Sequence, residues 1–271
     1  MLINPTENEI IQSITQNCIE YWQTLASNAG KPKNLFAGEI EYAMTGLPVM
    51  MLNPLFDGNF QDPNTTIPLV VDYYKHHKIP MMWYLSPIGQ QRGYGGILSK
   101  LGLEMAKLQV PGMAANLKTI KAETLQNYFD KPDITIRSIS ENLHEENAKL
   151  LLKGFNFDTE LSKSLEKLQF DMSHSSKAST YLAEYESKIA ATSSVFYSED
   201  VAGIYDVSTL KDFRGNGLGT AVTAKCMLEA KEKGYEIIIL QSSELGHQIY
   251  QKLGFKDYFI YERYLLRPEA L

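Results

Sequence analysis

Cysteine is scarce in this chain, with two residues, Cys18 and Cys226, among 271. They lie far apart in helically patterned stretches, and neither has a second cysteine at metal-binding spacing. That excludes a disulfide framework and a zinc cluster, and it makes buried, reduced thiols the expectation. Histidine is scarce too, at five. The adjacent pair His76-His77 cannot converge on one point from a helix, and no other spacing fits a metal, so none is expected. No apolar run approaches the roughly 20 residues that span a bilayer, so no membrane partner is expected. Residues 1–9 lack a basic cluster followed by an apolar stretch, so a cytoplasmic location is expected rather than secretion. Positive charge is in deficit: 26 Lys and Arg face 32 Asp and Glu, for a net charge of -6. That argues against nucleic acid as a partner.

What is present is ordinary for a globular protein, with 44% apolar and 21% charged residues. The length allows one large core or two ordinary ones. Thr6 and Glu9 form a capping-box pattern, and Ile10, Ile14, Cys18, Tyr21 and Leu25 then recur at helical spacing over roughly 7–27. A loop-rich stretch punctuated by Gly and Pro follows, then a short helix at 66–77 and a buried strand from Met81 to Leu85. The polar segment Phe129-Asp130-Lys131-Pro132-Asp133 reads as a linker between a domain at 1–129 and another at 133–271. Beyond it the pattern reads β-α-α-β-β-β-α-β-α-β, with a hairpin at 180–196. The predicted fold class is α/β (α+β): a mixed, mostly antiparallel central sheet flanked by helices, preceded by a smaller α/β domain. A faint internal repeat relates Met82–Leu103 to Ile238–Phe255. In each copy an apolar strand ends in Ser and precedes a helix that ends in Lys-Leu-Gly. Leu98 stands where Tyr250 stands, and no glycine loop precedes the first copy.

The most informative residues are Arg214-Gly215-Asn216-Gly217-Leu218-Gly219, placed between a predicted strand and an Ala-rich predicted helix. Such a turn aims free backbone N–H groups at one point, and the helix N-terminus adds positive potential. The result is a site for an anion such as the pyrophosphate of a nucleotide cofactor. The glycines are spaced by two, which fails the Gly-x-Gly-x-x-Gly of dinucleotide folds, and the Gly-Lys-Ser/Thr of a Walker loop is missing.

Arg-x-x-Gly-x-Gly after a strand and before a helix resembles the acyl-CoA pyrophosphate loop of GNAT N-acetyltransferases. The resemblance continues through a following strand to a helix with Tyr250 just before Gly254-Phe255. It covers about 133–266, and it implies acetyl-CoA as cosubstrate, no metal, and direct acetyl transfer to a small-molecule or peptide amine in a ternary complex. It implies that amides of Gly215, Asn216, Gly217, Leu218, Gly219 and Thr220 bind pyrophosphate, with Arg214 touching phosphate or bracing the turn. A bulge at Asp206-Val207-Ser208 would free amides for pantetheine and for the thioester carbonyl, the latter from Val207. Gln241 and Ser242 stand where two strands splay around the pantetheine arm. Many members have Asn near there; this chain has Gln and Ser.

Tyr250 is the expected proton donor to the leaving thiolate. A lysine-like amine, with a pKa of about 10.4, needs ~4 kcal/mol to be neutral near pH 7, so a base is useful. Asp206 and Glu184 are the candidates. The N-terminal domain would be a degenerate copy shaping the acceptor cleft. Two alternatives remain open at this point: a non-catalytic acyl-CoA sensor, and an acyltransferase for another acceptor or a longer acyl chain.

Overall fold

The computed structural model describes residues 1–27, 29, 35–108 and 110–270. The chain begins with α1 (Glu7–Ala26), followed by β1 (Ile40–Tyr42), β2 (Pro54–Gly58), α2 (Pro63–His76), β3 (Met81–Leu85), α3 (Pro87–Gln91), α4 (Tyr94–Lys100), β4 (Glu104–Met105) and β5 (Val110–Asn116). Next come α5 (Ala122–Gln126), β6 (Ile134–Ser138), α6 (His144–Phe155), α7 (Ser162–Ser173), β7 (Ala178–Tyr185), β8 (Lys188–Tyr197) and β9 (Ala202–Thr209). The last elements are α8 (Leu218–Glu232), β10 (Ile237–Gln241), α9 (His247–Lys252) and β11 (Lys256–Leu266). The capping box at the head of α1 closes in both directions: Glu9 accepts from Thr6 N–H at 2.7 Å, and Thr6 Oγ1 accepts from Glu9 N–H at 3.3 Å. β1 and β2 fall in the stretch read as loop. β2 is five residues long, begins with Pro and ends with Gly, and so carries no alternation to detect.

Packing groups the chain into two units. The larger holds Met1–Cys18 and Gly112–Tyr258; the smaller holds Ile19–Pro111 and the chain from Phe259 onward. This grouping differs from the consecutive division at 129–133. β5 precedes that segment, yet it pairs antiparallel with β10, from Ile237↔Asn116 to Gln241↔Gly112. The last strand pairs antiparallel with β3, from Glu262↔Leu85 to Leu266↔Met81. Each unit thus completes its sheet with a strand from the other half of the chain. A linker's composition carries no record of such long-range pairing.

In the smaller unit β2 runs parallel to β3, joined by α2, and Trp83, Tyr74, Ile67 and Leu98 are buried in its core. Fully burying side chains of this size stabilises by about 2 kcal/mol each. In the larger unit the order is β5-β10-β9-β8-β7-β6. β9 and β10 are parallel, joined by α8, whose Ala221, Ala224 and Met227 are fully buried. The first turns of α1 are fixed to the β8–β9 end: Asn17 Nδ2 donates to Ser198 Oγ at 2.9 Å, and Tyr205 Oη donates to Asn17 Oδ1 at 2.7 Å. No described helix is long and apolar enough to cross a membrane.

Candidate active site

Two features converge at one end of the β9–β10 pair. The first is the end of the pairing itself. The strands are in register at Ile238↔Ala202, Ile239↔Gly203 and Leu240↔Ile204, and no further pair forms. β9 continues through a bulge: Ser194 faces Tyr205 on β8, the next partners are Thr192 and Ser208, and so two residues of β9, Asp206 and Val207, stand opposite Ser193 alone. Asp206 has a φ of +56°, a left-handed conformation that costs a non-glycine residue on the order of 1 kcal/mol. At the end of β10, the Nε2 of Gln241 is buried without a hydrogen-bond partner among the described residues.

The second feature is the loop into α8. After a tight turn at Lys211–Phe213, Gly215 and Gly217 adopt φ of +88° and +80°, where only glycine is unstrained. Gly217 is the N-cap of α8 and offers no side chain to cap it. The first bond of the helix is Ala221 N–H to Gly217 O, at 2.9 Å. By helix geometry the N–H groups of Leu218, Gly219 and Thr220 precede any intrahelical acceptor. They stand at the positive end of a 15-residue helix. A Cβ on Gly219 would come within 3.2 Å of Thr209 Oγ1, so that glycine also lets the helix seat against the end of β9.

Arg214 Nε donates to Thr209 O at 3.1 Å, and Asn216 Nδ2 donates to Phe213 O at 3.2 Å. Both side chains therefore shape the loop. Ser208 is buried with its hydroxyl against α6, where a Cβ on Gly154 would overlap it. Ser242 is fully buried and donates to Ser243 O at 2.8 Å. What Ser242 has to offer a ligand is backbone, whereas the Ser208 hydroxyl is buried without a hydrogen-bond partner among the described residues.

Tyr250 is 7% exposed and packs edge-on against Phe255 at 6.0 Å. Burial pushes its phenol well above the ordinary value, so it carries its proton throughout the neutral and mildly alkaline range. His247, which opens the same helix, bonds Asp257 through Nε2 at 2.8 Å and so ties the start of α9 to β11. Cys226 is fully buried, and burial pushes its thiol up to about 12, which removes it as a nucleophile.

The two carboxylates considered as bases part company. Asp206 sits in the bulge, and its Oδ2 accepts from Gln169 Nε2, on α7, at 3.2 Å. Glu184 belongs elsewhere. It lies near the end of β7, is bound to Arg137 Nε at 2.5 Å, and lines an open cleft of about 700 Å³ with Arg137, Lys188 and Phe213. The β6–β7 register, Arg137↔Leu182 and Thr135↔Glu184, brings the two charges together. Gln169 had one sequence signal: a polar residue on the buried stripe shared with Leu165 and Met172.

Residues 176–257 match the family profile described as an acetyltransferase (GNAT) domain. No curated protein sequence matches the chain. Among solved structures, a GCN5-related N-acetyltransferase from Kribbella flavida superposes with a TM-score of 0.66 at 15% identity, over 93% of this chain and 95% of that one. A tandem GNAT protein from the clavulanic acid biosynthesis pathway, solved without acetyl-CoA, gives a TM-score of 0.58 at 11% identity over 97% of both chains. A GCN5-related N-acetyltransferase from Sphaerobacter thermophilus gives 0.53 at 13%, over 84% of this chain and 76% of that one. The end of the strand pairing, the bulge and the uncapped helix all lie within the matched residues: residues 176–257 match a GNAT acetyltransferase domain, and the chain shares its fold with GNAT structures that include a tandem protein.

Proposed function

We propose that the larger unit transfers an acetyl group from acetyl-CoA directly to a primary amine, and that the smaller unit is a degenerate copy of the same fold. The observation that carries this reading is the coincidence at one end of β9 and β10: the pairing stops at Leu240↔Ile204 where the bulge and the uncapped head of α8 begin. The residues present fit the cosubstrate. Gln241 Nε2 is a buried donor awaiting an acceptor, which a pantetheine amide carbonyl supplies. Gly215 and Gly217 leave open the space that side chains would fill. Bound there, acetyl-CoA supplies an acyl group activated as a thioester.

The protein's part follows from its own groups. The amides of Gly215–Thr220 hold the diphosphate, because several N–H dipoles and a helix end aim positive potential at it. The bulge amide at Val207 stabilises negative charge on the thioester oxygen as the amine adds. Asp206, held by Gln169, accepts the proton that the ammonium must lose, directly or through water. Tyr250, kept protonated by burial, donates to the sulfur as it leaves. Two protons leave the nitrogen, one from the ammonium before attack and one from the adduct as the amide forms; one reaches the sulfur through Tyr250, and the other passes to solvent through Asp206.

The test is a panel of small and peptide amines incubated with the full chain and acetyl-CoA, with free thiol and acetylated product both measured. Amine-dependent release of coenzyme A supports the reading. Tight coenzyme A binding with no turnover across the panel would replace it with a non-catalytic acyl-CoA sensor.

A further inference from the structure

We propose that Lys131 is a phosphate-binding residue of the acyl-CoA site, a cation supplied from outside the glycine loop. The inference rests on the reading of Gly215–Thr220 as a diphosphate cradle. Phe129 and Ile134 pack in the same apolar cluster as Leu218 and Val222, the first turns of α8. Between these two anchors the chain turns tightly: Lys131 N–H donates to Phe129 O at 3.0 Å, and Ile134 N–H donates to Lys131 O at 3.1 Å. The anchors fix the backbone of Lys131 at the head of the helix. Its ammonium lies 3.6 Å from the position a Cβ on Gly217 would take.

For the protein alone this placement is unfavourable. The head of α8 is the positive end of a long helix, and a cation there is repelled, whereas the same cation at the opposite end would be stabilising. No ion pair joins Lys131 to a carboxylate among the described residues. The loop's own cation, Arg214, is turned back through Nε onto Thr209 O. An anion standing between the free amides and the ammonium reverses the sign of the interaction on both sides. A diphosphate has the charge and the size for that position. Lys131 thus becomes the far wall of the cradle, reaching phosphate oxygens that face away from the amides. Its place in a polar, Pro-containing segment makes it look like linker in the sequence, yet that segment is docked on α8.

The experiment is titration calorimetry of coenzyme A and of dephospho-coenzyme A into the full chain, for the unaltered protein, Lys131→Ala, Lys131→Arg, Lys131→Glu and Gly217→Asp. Lys131→Ala is expected to weaken both ligands by about fivefold to tenfold, in line with one partly exposed charge-assisted contact. The loss is expected to shrink at high salt. Lys131→Glu weakens them further, and Lys131→Arg stays within about twofold. Equal loss for the two ligands supports contact with the diphosphate they share; loss for coenzyme A alone overturns that contact. Unchanged affinity in Lys131→Ala, alongside a large loss in Gly217→Asp, overturns the role of Lys131 and leaves the cradle standing. Unchanged affinity in both overturns the cradle itself.

Discussion

The two units build the same strand–helix–strand element and finish it in opposite ways. In the smaller unit, α2 is capped by Asp62, whose carboxylate accepts from Asn64 N–H at 3.1 Å and Thr65 Oγ1 at 2.6 Å, and Pro63 brings no N–H to the first turn. Beyond the pair Leu55↔Trp83, β2 and β3 remain laced together: Trp83 Nε1 donates to Phe56 O at 3.0 Å, and Asp57 accepts from both the amide and the hydroxyl of Ser86. In the larger unit, α8 has glycine where α2 has a capping carboxylate, and β9 and β10 stop pairing where β2 and β3 are tied. The carboxylate in one unit occupies the kind of position that a phosphate would take in the other under the proposed function. A ligand site in this topology is made by leaving backbone donors unanswered. Satisfying them inside the protein closes the smaller unit's counterpart of that site.

The sharpest way to break this contrast is to give the larger unit the smaller unit's cap. Gly217→Asp puts a carboxylate at the head of α8, and aspartate tolerates the left-handed backbone better than most residues. Coenzyme A affinity is expected to fall at least 100-fold by calorimetry, because a fixed negative charge displaces the diphosphate. The reverse change, Asp62→Gly, is expected to create no coenzyme A site, since Pro63 still lacks an N–H. Next in size is Tyr250→Phe, expected to lower kcat by about 100-fold with KM within about threefold. Burial raises the phenol's pKa, so the acid form dominates at every pH below that raised value. The ratio of unaltered to variant kcat is therefore expected to be the same at pH 7 and pH 9.5. A ratio that collapses at the higher pH would show a group of ordinary tyrosine pKa, and the buried ring would not be the donor.

Much of the larger unit was legible in the sequence because its signals are local. The glycine loop, the strand before it and the helix behind it are consecutive residues whose roles follow from backbone geometry. Every strand and helix read after residue 133 is present, with ends shifted by a few residues. The smaller unit was less legible: β2 is a short run bounded by Pro54 and Gly58, and both of its faces are buried. The division into units was not legible at all, because the exchange of β5 and the last strand depends on partners more than 100 residues away. The same holds for the ion pair that Glu184 makes. Its position on the hairpin could be read, while the Arg137 that claims it is set by the β6–β7 register. Lys131 and Gln169 lie beside the loop and the bulge from distant points of the chain, and one residue's spacing does not announce another's neighbour.

Smaller effects are expected where the smaller unit is laced shut. Asp57 is raised above its ordinary value by burial, against the opposing pull of Ser86 and Gly89. The folded state thus binds this proton more tightly than the unfolded chain. Its contribution to stability is full below the unfolded value, about 3.9, and declines as pH rises through the folded value. Asp57→Ala leaves the Ser86 donors without their acceptor and is expected to cost about 2 kcal/mol near pH 4 and less at pH 7. Denaturant unfolding across that window checks both the size and the sign. A loss that grows with pH would mean the ionised carboxylate is the favoured form, and the lacing would then be an ion-dipole clamp.

Asp62→Ala is the smallest change and the cleanest comparison with Gly217. Removing an N-cap acceptor costs about 1 kcal/mol, and here it frees Asn64 N–H and Thr65 Oγ1. Denaturant unfolding is expected to register that loss while coenzyme A affinity stays unchanged, because the cap answers donors that no ligand uses. A variant that keeps its stability but binds coenzyme A more weakly would reverse the assignment. The capped helix would then belong to the cosubstrate site, and the contrast between an open and a closed copy would fail at its simplest position.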